Sequence, residues 1–307
     1  MDLYEALAKE KREIVIGGRK VGDGHPVYVI AEVGINHNGS LDIAKQLIDA
    51  AAGAGCDAVK FQKRTVDVVY TKDELAKPRE NPFGATNGDL KRGLEFGAVQ
   101  YQGIDKHCRE KKIHWFASPW DEASVDFLEK FNPPCHKVAS ASLTDKSLLK
   151  RIQSTKRPVI LSTGMSTMEE IEAAVSVLGE EQLVILHCTS TYPSEPVELN
   201  LRVMFKLRER FKKAVIGYSG HEVGLLPSVI AAALGACVIE RHITLDRAMW
   251  GSDQAASVEV PGFERLVRDV RQIPTVLGDG VKKRYASEEP IRKKLRRVDS
   301  LTAKDLE

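Results

Sequence analysis

Several common sequence signals are missing from this 307-residue chain. The cysteines are odd in number, widely spaced and never in a C-x-x-C pair, which argues against a zinc or disulfide framework and favours reduced thiols. No apolar run reaches transmembrane length, and residues 1–13 lack the apolar core of a signal peptide. The sequence therefore predicts a cytoplasmic protein with no membrane partner.

A large excess of charge of one sign is also absent. Lys and Arg total 45 against 43 for Asp and Glu, which gives a net charge of +2. Such a balance provides no general attraction to nucleic acids or membrane surfaces, so we expect neither as a partner. Any anion must then be bound by the local placement of charged side chains.

What the sequence does contain is a repeat of short apolar runs with helical patterns between them, as at 41–55 and 167–179. The runs are 27–32, 57–62, 114–119, 136–140, 158–163, 183–189, 215–219 and 237–242. Eight strand–helix units predict an α/β fold, a (β/α)8 barrel with an all-parallel sheet. The alternative is an open doubly wound sheet. It normally has a glycine-rich phosphate turn after the first strand, where this chain has GINHNGS.

The same pattern predicts three regions. Residues 1–26 contain a β-hairpin that turns at Gly17-Gly18 and would cap the bottom of the barrel. Residues 27–280 form the catalytic barrel, and residues 281–307 a C-terminal helix or linker. The polar stretch 64–93 is predicted to be a long loop over the active-site face, and loops of that length are usually functional or mobile.

Polar side chains collect where the predicted strands end, and barrels build their active sites at that face. Two lysines and several hydroxyls suit a ligand with a phosphate and a carboxylate. Two histidines and two glutamates suit a divalent metal and an acid–base group. Each residue alone has an ordinary structural explanation, such as a helix cap or a solvent-reaching lysine, but eight converging ends are difficult to explain by chance. These residues are Glu32, Lys60, Gln62, Ser118, Lys137, Ser140, Ser162, Thr163, Thr189, Ser190, Ser219, His221, Glu240 and His242.

Several segments resemble the sialic acid synthase family, in order from about Ile30 to Arg297. They are 30–51, 59–62, 161–166, 187–193, 216–221 and 239–243. This family condenses phosphoenolpyruvate with N-acetylmannosamine or a related hexose to make nine-carbon 2-keto-3-deoxy acids. The resemblance implies a transferase that joins phosphoenolpyruvate to an N-acylhexosamine or hexose aldehyde and releases phosphate.

The resemblance also implies roles for single residues. His221 and His242 match metal-binding histidines, with Mn²⁺ or Mg²⁺ as the expected ion. Glu32 matches an acidic residue close to the reacting carbons, and Glu240 lies beside the metal. Gly220 departs from the family pattern, since many relatives have Asp there. The positions that match phosphoenolpyruvate contacts are Lys60, Ser118, Lys137, Ser140, Ser162 and Ser219, and those that match sugar contacts are Gln62, Tyr192 and Asp253.

Sialic acid synthases usually carry a small C-terminal domain that resembles antifreeze proteins and reaches over the barrel of a partner subunit. The basic linker before that domain is matched by 292–297, and 299–307 resembles its first strand. We therefore expect this domain to be absent or truncated, and the resemblance implies a homodimer.

Two other functions stay open at this point. A Schiff-base aldolase would use Lys60 or Lys137 as its nucleophile and leave His221 and His242 without a role. An inactive sugar-phosphate sensor would have no need of the whole set of charged groups. The acceptors open for a synthase are N-acetylmannosamine, mannose, their 6-phosphates and diacetamido hexoses.

Overall fold

Eight parallel strands form the wall of a nearly closed barrel in the computed structural model, which describes residues 11–298. The predicted (β/α)8 fold is confirmed, and each apolar run overlaps one barrel strand. The strands are β1 (Glu13–Ile16), β2 (Arg19–Gly22), β3 (Tyr28–Gly34), β4 (Ala58–Lys63), β5 (Pro78–Asn81), β6 (Gly84–Thr86), β7 (His114–Pro119), β8 (His136–Val138), β9 (Val159–Ser162), β10 (Leu183–Cys188), β11 (Val215–Gly220), β12 (Val238–Thr244) and β13 (Val258–Glu259).

Around the barrel the strand order is β7-β4-β3-β12-β11-β10-β9-β8. The register sets Glu32 of β3 opposite Lys60 of β4 on one side and His242 of β12 on the other. The end strands β7 and β8 are neighbours, but no backbone ladder joins them in the described chain. We call this line of contact between β7 and β8 the seam.

The N-terminal hairpin closes the bottom of the barrel, as predicted. Strands β1 and β2 pair antiparallel through a turn at Gly17 and Gly18, both with positive φ. Ile14, Ile16 and Val21 point into a buried cluster that includes side chains from the barrel strands. Burying one such aliphatic side chain stabilises a fold by about 1.5–3 kcal/mol, so the hairpin is part of the barrel core.

Helices alternate with the barrel strands along the chain, and several of their N-termini carry side-chain caps. The Ser40 hydroxyl accepts from the Ile43 N–H, and Thr167 forms a capping box with Glu170. The helices are α1 (Leu41–Gly53), α2 (Val66–Val69), α3 (Lys72–Ala76), α4 (Asn87–Leu94), α5 (Ala98–Lys111), α6 (Glu122–Glu129), α7 (Lys146–Ser154), α8 (Met168–Leu178), α9 (Val203–Arg210), α10 (Leu226–Ala233), α11 (Val260–Leu277) and α12 (Glu289–Leu295).

The stretch 64–93 is not the loop that the sequence predicts. It contains helices α2, α3 and α4 and the two-stranded sheet β5–β6. Thr71 caps α3, and Thr86 and Asp89 form a capping box on α4. These elements are too short to show helical periodicity, and the prolines and glycines between them hide their boundaries.

Chain contacts divide the protein into one compact unit that ends at Arg271 and a second that begins at Gln272. In the second unit, α12 has no buried residue, as expected for a solvated helix. The family-like strand predicted at 299–307 lies outside the described residues, and the region boundaries at 26 and 280 stay predictions. Between residues 11 and 298, no helix has the length and apolar character needed to cross a bilayer.

Candidate active site

A cavity of about 330 Å³ lies at the carboxyl ends of the barrel strands. We call it the reaction cavity. Its lining includes every residue to which the family resemblance gives a role, namely Glu32, Lys60, Gln62, Ser118, Lys137, Ser140, Ser162, Tyr192, Ser219, His221, Glu240, His242 and Asp253. Of the other strand-end candidates, Ser190 lines this cavity, whereas Thr163 and Thr189 do not. The lining also includes side chains that the sequence did not indicate, among them Arg64, Tyr70, Lys91, Trp120 and Cys188.

Lys60 lies at the buried floor of this cavity, and its position follows from the strand register. Because β3 and β4 pair, the Lys60 ammonium lies 2.8 Å from a carboxylate oxygen of Glu32. It also donates to the Ser118 hydroxyl at 3.1 Å. The other oxygen of Glu32 accepts from the Gln62 amide at 3.1 Å. The acidic group and the lysine thus form a buried ion pair.

Lys137 is the second buried cation. Its ammonium donates to the Ser162 hydroxyl at 2.6 Å and to the Val138 carbonyl at 3.2 Å. Glu240 lies between the two lysines, with the same carboxylate oxygen 3.7 Å from the Lys137 nitrogen and 3.9 Å from the Lys60 nitrogen. Two cations that each contact a serine hydroxyl form a floor suited to a small, multiply charged anion.

The two buried carboxylates differ in pKa. Burial raises the pKa of Glu32 to about 7, against the opposing effect of Lys60. At Glu240 burial also favours the neutral acid, but Lys137 and Lys60 outweigh it and lower the pKa. Glu240 therefore stays charged beside the lysines, while Glu32 can exchange a proton near neutral pH, as a general base must.

The two buried lysines, Lys60 and Lys137, also differ in pKa. Burial disfavours the charged form of both, but Glu240 and Glu32 prevail at Lys60 and raise its pKa. At Lys137 burial prevails, and the pKa is lowered. Lys137 has weaker carboxylate contacts than Lys60. An incoming anion would therefore stabilise the charge of Lys137 more than that of Lys60.

His221 and His242 lie on one side of the cavity, with ring centroids 5.5 Å apart. Nδ1 of His221 donates to the Thr189 carbonyl at 2.7 Å, so Nε2 is the nitrogen that would bind a metal when the ring is neutral. Nδ1 of His242 is buried without a hydrogen-bond partner and lies 3.9 Å from Asp253. Burial lowers the pKa of His242 to about 4, so this imidazole is neutral and ready to bind a metal.

These histidines fit an ion that has only two protein ligands. No group of three or more His, Cys, Asp or Glu side chains within residues 11–298 is arranged to hold a metal. Two imidazoles would leave the remaining positions to water or substrate, as in a catalytic site rather than a closed structural one.

Gly164, in the turn after β9, has no room for a side chain because two serine hydroxyls lie close to its Cα. Its N–H donates to the Ser140 hydroxyl at 3.0 Å. A Cβ at this position would lie 2.1 Å from the Ser190 hydroxyl and 2.8 Å from that of Ser140. Only glycine lets these hydroxyls line the cavity together.

Gly220, the departure from the family pattern, has a structural reason. A Cβ there would lie 2.4 Å from a carboxylate oxygen of Glu222. Glu222 accepts from the Tyr218 hydroxyl and pairs with the buried guanidinium of Arg241, both at 2.8 Å. No sequence pattern singles out this buried ion pair, although each member adjoins one of the two histidines. In this chain the Glu222 carboxylate occupies the space where an aspartate side chain at position 220 would begin.

The sugar-side residues surround the histidines. The Tyr192 ring is about half exposed, with its centroid 4.1 Å from that of His221. Asp253 adjoins His242, and Gln62 adjoins Glu32. The three side chains therefore lie near the groups expected to act on an aldehyde carbon, and their roles as sugar contacts stay predictions.

Fold and site together define a class: an enzyme built on a parallel eight-stranded barrel, with its acidic, basic and imidazole groups at the carboxyl ends of the strands. The NeuB family matches residues 47–282. The chain belongs to this family, whose members include synthases of sialic acids and related sugars.

Relatives and solved structures agree with this membership. N-acetylneuraminate-9-phosphate synthase of Homo sapiens is 39% identical over 282 residues, which covers 91% of this chain and 79% of the human protein. N,N'-diacetyllegionaminic acid synthase of Legionella pneumophila is 36% identical over 290 residues, which covers 91% of this chain and 81% of the Legionella protein. The crystal structure of the N-acetylneuraminic acid synthetase of Leptospira borgpetersenii superposes with a TM-score of 0.82 at 31% identity. The superposition covers 95% of this chain and 100% of the Leptospira chain.

Proposed function

We propose that this enzyme condenses phosphoenolpyruvate with the aldehyde of an N-acylhexosamine or hexose, giving a nine-carbon 2-keto-3-deoxy sugar acid and phosphate. The observation that carries the proposal is the buried floor of Lys60 and Lys137 beside one carboxylate that stays charged and one that titrates near neutrality. The synthases named above make products of this type, which supports an N-acylated acceptor.

Phosphoenolpyruvate has a carboxylate and a phosphate attached to the same carbon, C2. Two buried ammonium groups with several hydroxyls match those two anions, since charge-assisted hydrogen bonds are strong where water is excluded. Lys60 with Ser118 would hold one anion, and Lys137 with Ser162 the other. Ser140 and Ser219, which line the same cavity, would complete the ligand's contacts.

In the reaction, C3 of phosphoenolpyruvate forms a bond to the aldehyde carbon, and the aldehyde oxygen takes up a proton. Positive charge develops at C2, where the Glu32 carboxylate stabilises it and accepts a proton from the water that adds there. The C2–O bond to phosphate then breaks, and the remaining C2 hydroxyl loses its proton to become the ketone. One water is consumed and one phosphate leaves.

His221 and His242 would hold Mn²⁺ or Mg²⁺. When bound, this ion supplies Lewis-acid polarisation of the aldehyde oxygen. Tyr192 and Asp253 line the same cavity as the two imidazoles. These two side chains and Gln62 would orient the sugar so that its aldehyde carbon faces C3.

The test of this function is phosphate release from phosphoenolpyruvate with a panel of N-acylhexosamines and hexoses, with the product identified by mass. We expect release with at least one N-acylated acceptor. Failure to release phosphate with any aldose would contradict the proposal. Covalent capture of pyruvate on Lys60 or Lys137 by borohydride would instead support the aldolase alternative.

Replacing Lys137 with methionine should raise the Kd for phosphoenolpyruvate by about tenfold to a hundredfold. The substitution keeps the length of the side chain but removes a charge-assisted contact to a buried anion. Titration calorimetry measures the Kd directly. Lys150→Met, on the exposed face of α7, is the matched control and should bind like the wild type. An unchanged Kd in Lys137→Met would rule out the lysine floor as the anion site.

A further inference from the structure

His221 lies just beyond the point where the backbone ladders of its strand end. Strand β11 pairs with β10 as far as Cys188 and Ser219, and with β12 as far as Gly220 and Arg241. His221 is the next residue of β11's chain direction. In the part of the chain that the structure describes, the ladder with β12 therefore stops one residue before this imidazole.

His242, by contrast, lies within a ladder. Its strand β12 also pairs with β3, and His242 is opposite Glu32 in that register. The backbone contact of His221 is made on the β10 side instead, where its carbonyl accepts from the Ser194 N–H at 3.2 Å, and its ring donates to the Thr189 carbonyl. Two imidazoles can share one ion only at a fixed separation, so a connection from β12 to the segment after β11 would set the geometry of the pair.

The side chain of Arg241 makes that connection. It is 1% exposed and reaches from β12 to the segment 221–225 that follows β11. Its guanidinium donates to the Glu222 carboxylate at 2.8 Å, to the backbone carbonyl of the same residue at 2.5 Å, and to the Gly224 carbonyl at 2.9 Å. A planar fork with several donors is suited to hold a carboxylate and nearby carbonyls in one arrangement.

Glu222 is also held by two hydroxyl groups. Its carboxylate accepts from Tyr218 on β11 at 2.8 Å and from Ser228 on α10 at 3.2 Å. All these side chains are buried. The lining of the reaction cavity includes His242 but neither Glu222 nor Arg241. Since neighbouring residues of a strand point to opposite faces, the ion pair lies on the far side of the barrel wall from the ligand.

A buried ion pair of this kind is better suited to fixing register than to adding stability. Removing two charges from water is costly, and apolar side chains can often replace such a pair without loss of stability. Nε of Arg241 is also buried without a hydrogen-bond partner. The position of the pair, with each member next to one histidine in the chain, indicates that its role concerns the two imidazoles.

We propose that Glu222 and Arg241 are positioning residues for the metal site. They hold the segment that carries His221 against the strand that carries His242, in place of the backbone ladder that has ended. The two rings, with centroids 5.5 Å apart, are thereby kept close enough to share one ion. This inference rests on the metal site of the proposed function and adds the residues that hold its two ligands in place.

Glu222→Gln should raise the Kd for Mn²⁺ by about tenfold to a hundredfold, the usual effect of losing a contact that orients a metal ligand. The amide keeps the shape of the carboxylate but not the charge that pairs with Arg241. Calorimetric titration of the metal-free protein with Mn²⁺ alone measures this Kd. Both imidazoles remain, so a higher Mn²⁺ concentration should restore most of kcat. The Kd for phosphoenolpyruvate should not change, because Lys60 and Lys137 belong to β4 and β8.

A double variant, Glu222→Leu with Arg241→Met, separates positioning from folding. It removes both charges together, so neither is left buried without its partner, and the melting temperature should stay close to that of the wild type. The contacts to the backbone carbonyls of 221–225 are lost, so the Kd for Mn²⁺ should rise as it does in Glu222→Gln. A double variant that both melts and binds Mn²⁺ like the wild type would overturn the inference.

Asp23→Asn is the matched control. Asp23 pairs with the buried guanidinium of Arg208, between the turn after β2 and helix α9. This variant breaks a carboxylate–guanidinium pair far from the histidines in the chain, so it should lower the melting temperature but leave the Kd for Mn²⁺ unchanged. An equal loss of Mn²⁺ affinity in this control would show that any broken ion pair weakens the site, and the positioning role would be wrong.

Metal titration distinguishes this inference from the proposed function because it requires no turnover. If the wild type binds Mn²⁺ and Glu222→Gln binds it weakly, the inference is supported even if no sugar causes phosphate release. If Glu222→Gln binds Mn²⁺ as tightly as the wild type does, the inference is wrong and the condensation proposal is unaffected.

Discussion

Replacing His221 or His242 with alanine should lower kcat by at least about a thousandfold and should release the bound metal. Lewis-acid polarisation of an aldehyde oxygen contributes several kcal/mol, and each 1.36 kcal/mol corresponds to about tenfold in rate. Chelation should stop the wild-type enzyme to the same extent, and Mn²⁺ or Mg²⁺ should restore it. The variants should not recover at the same metal concentration. Metal content by mass spectrometry and kcat by phosphate release are the measurements.

We expect a large effect of a single substitution because the proposed metal site has few protein ligands. Between residues 11 and 298, no third His, Cys, Asp or Glu side chain is arranged with His221 and His242 to compensate for the loss of one imidazole. His107→Ala is a suitable control, because this histidine pairs with Asp49 on the helices outside the barrel. Two alanine variants at 221 and 242 that kept wild-type turnover and metal content would show that the assignment is wrong.

Glu32→Gln should lower kcat by about a hundredfold or more, the usual contribution of an acid–base group. The amide is nearly isosteric with the carboxylate, but it cannot take a proton from water or stabilise positive charge at C2. Phosphoenolpyruvate affinity should change little, because the lysine floor stays in place. A glutamine variant with wild-type kcat would mean that Glu32 has only a structural role.

The pH dependence provides a second measurement of the same group. Burial raises the pKa of Glu32 to about 7, so its carboxylate is the major form above that pH and is protonated below it. If the carboxylate is the active form, kcat/KM should fall as the pH drops through about 7, by about tenfold per pH unit. In Glu32→Gln this acid limb should be missing, whereas a substitution that merely disturbs packing would keep it.

The sequence predicts the barrel well because buried parallel strands are continuous apolar runs that end abruptly in polar residues. Glu32, Lys60 and His242 are identified at the strand ends by this rule alone. The strand ends also predict which side chains share a cavity, because parallel strands bring all their carboxyl ends to one face.

Other parts of the site depend on contacts that have no sequence period. The two-stranded sheet and short helices within 64–93 are too brief to be recognised, so the contributions of Arg64 and Lys91 to the cavity are not visible. The difference in pKa between Glu32 and Glu240 likewise cannot be predicted from the sequence. It arises because Glu240 lies near both lysines, whereas Glu32 pairs closely with Lys60 alone.

The seam between β7 and β8 has a consequence for the motion of the barrel. Elsewhere adjacent barrel strands are joined by backbone hydrogen bonds, so local opening of the wall is expected where that ladder is missing. Ser118 belongs to β7 and Lys137 to β8, so a ligand with one anionic group at each of these residues would link the two strands. In amide hydrogen exchange, phosphoenolpyruvate should therefore slow exchange in β7 and β8 more than in the β10–β11 ladder. Bound substrate would then connect the two neighbouring strands that no backbone hydrogen bonds join in the described chain.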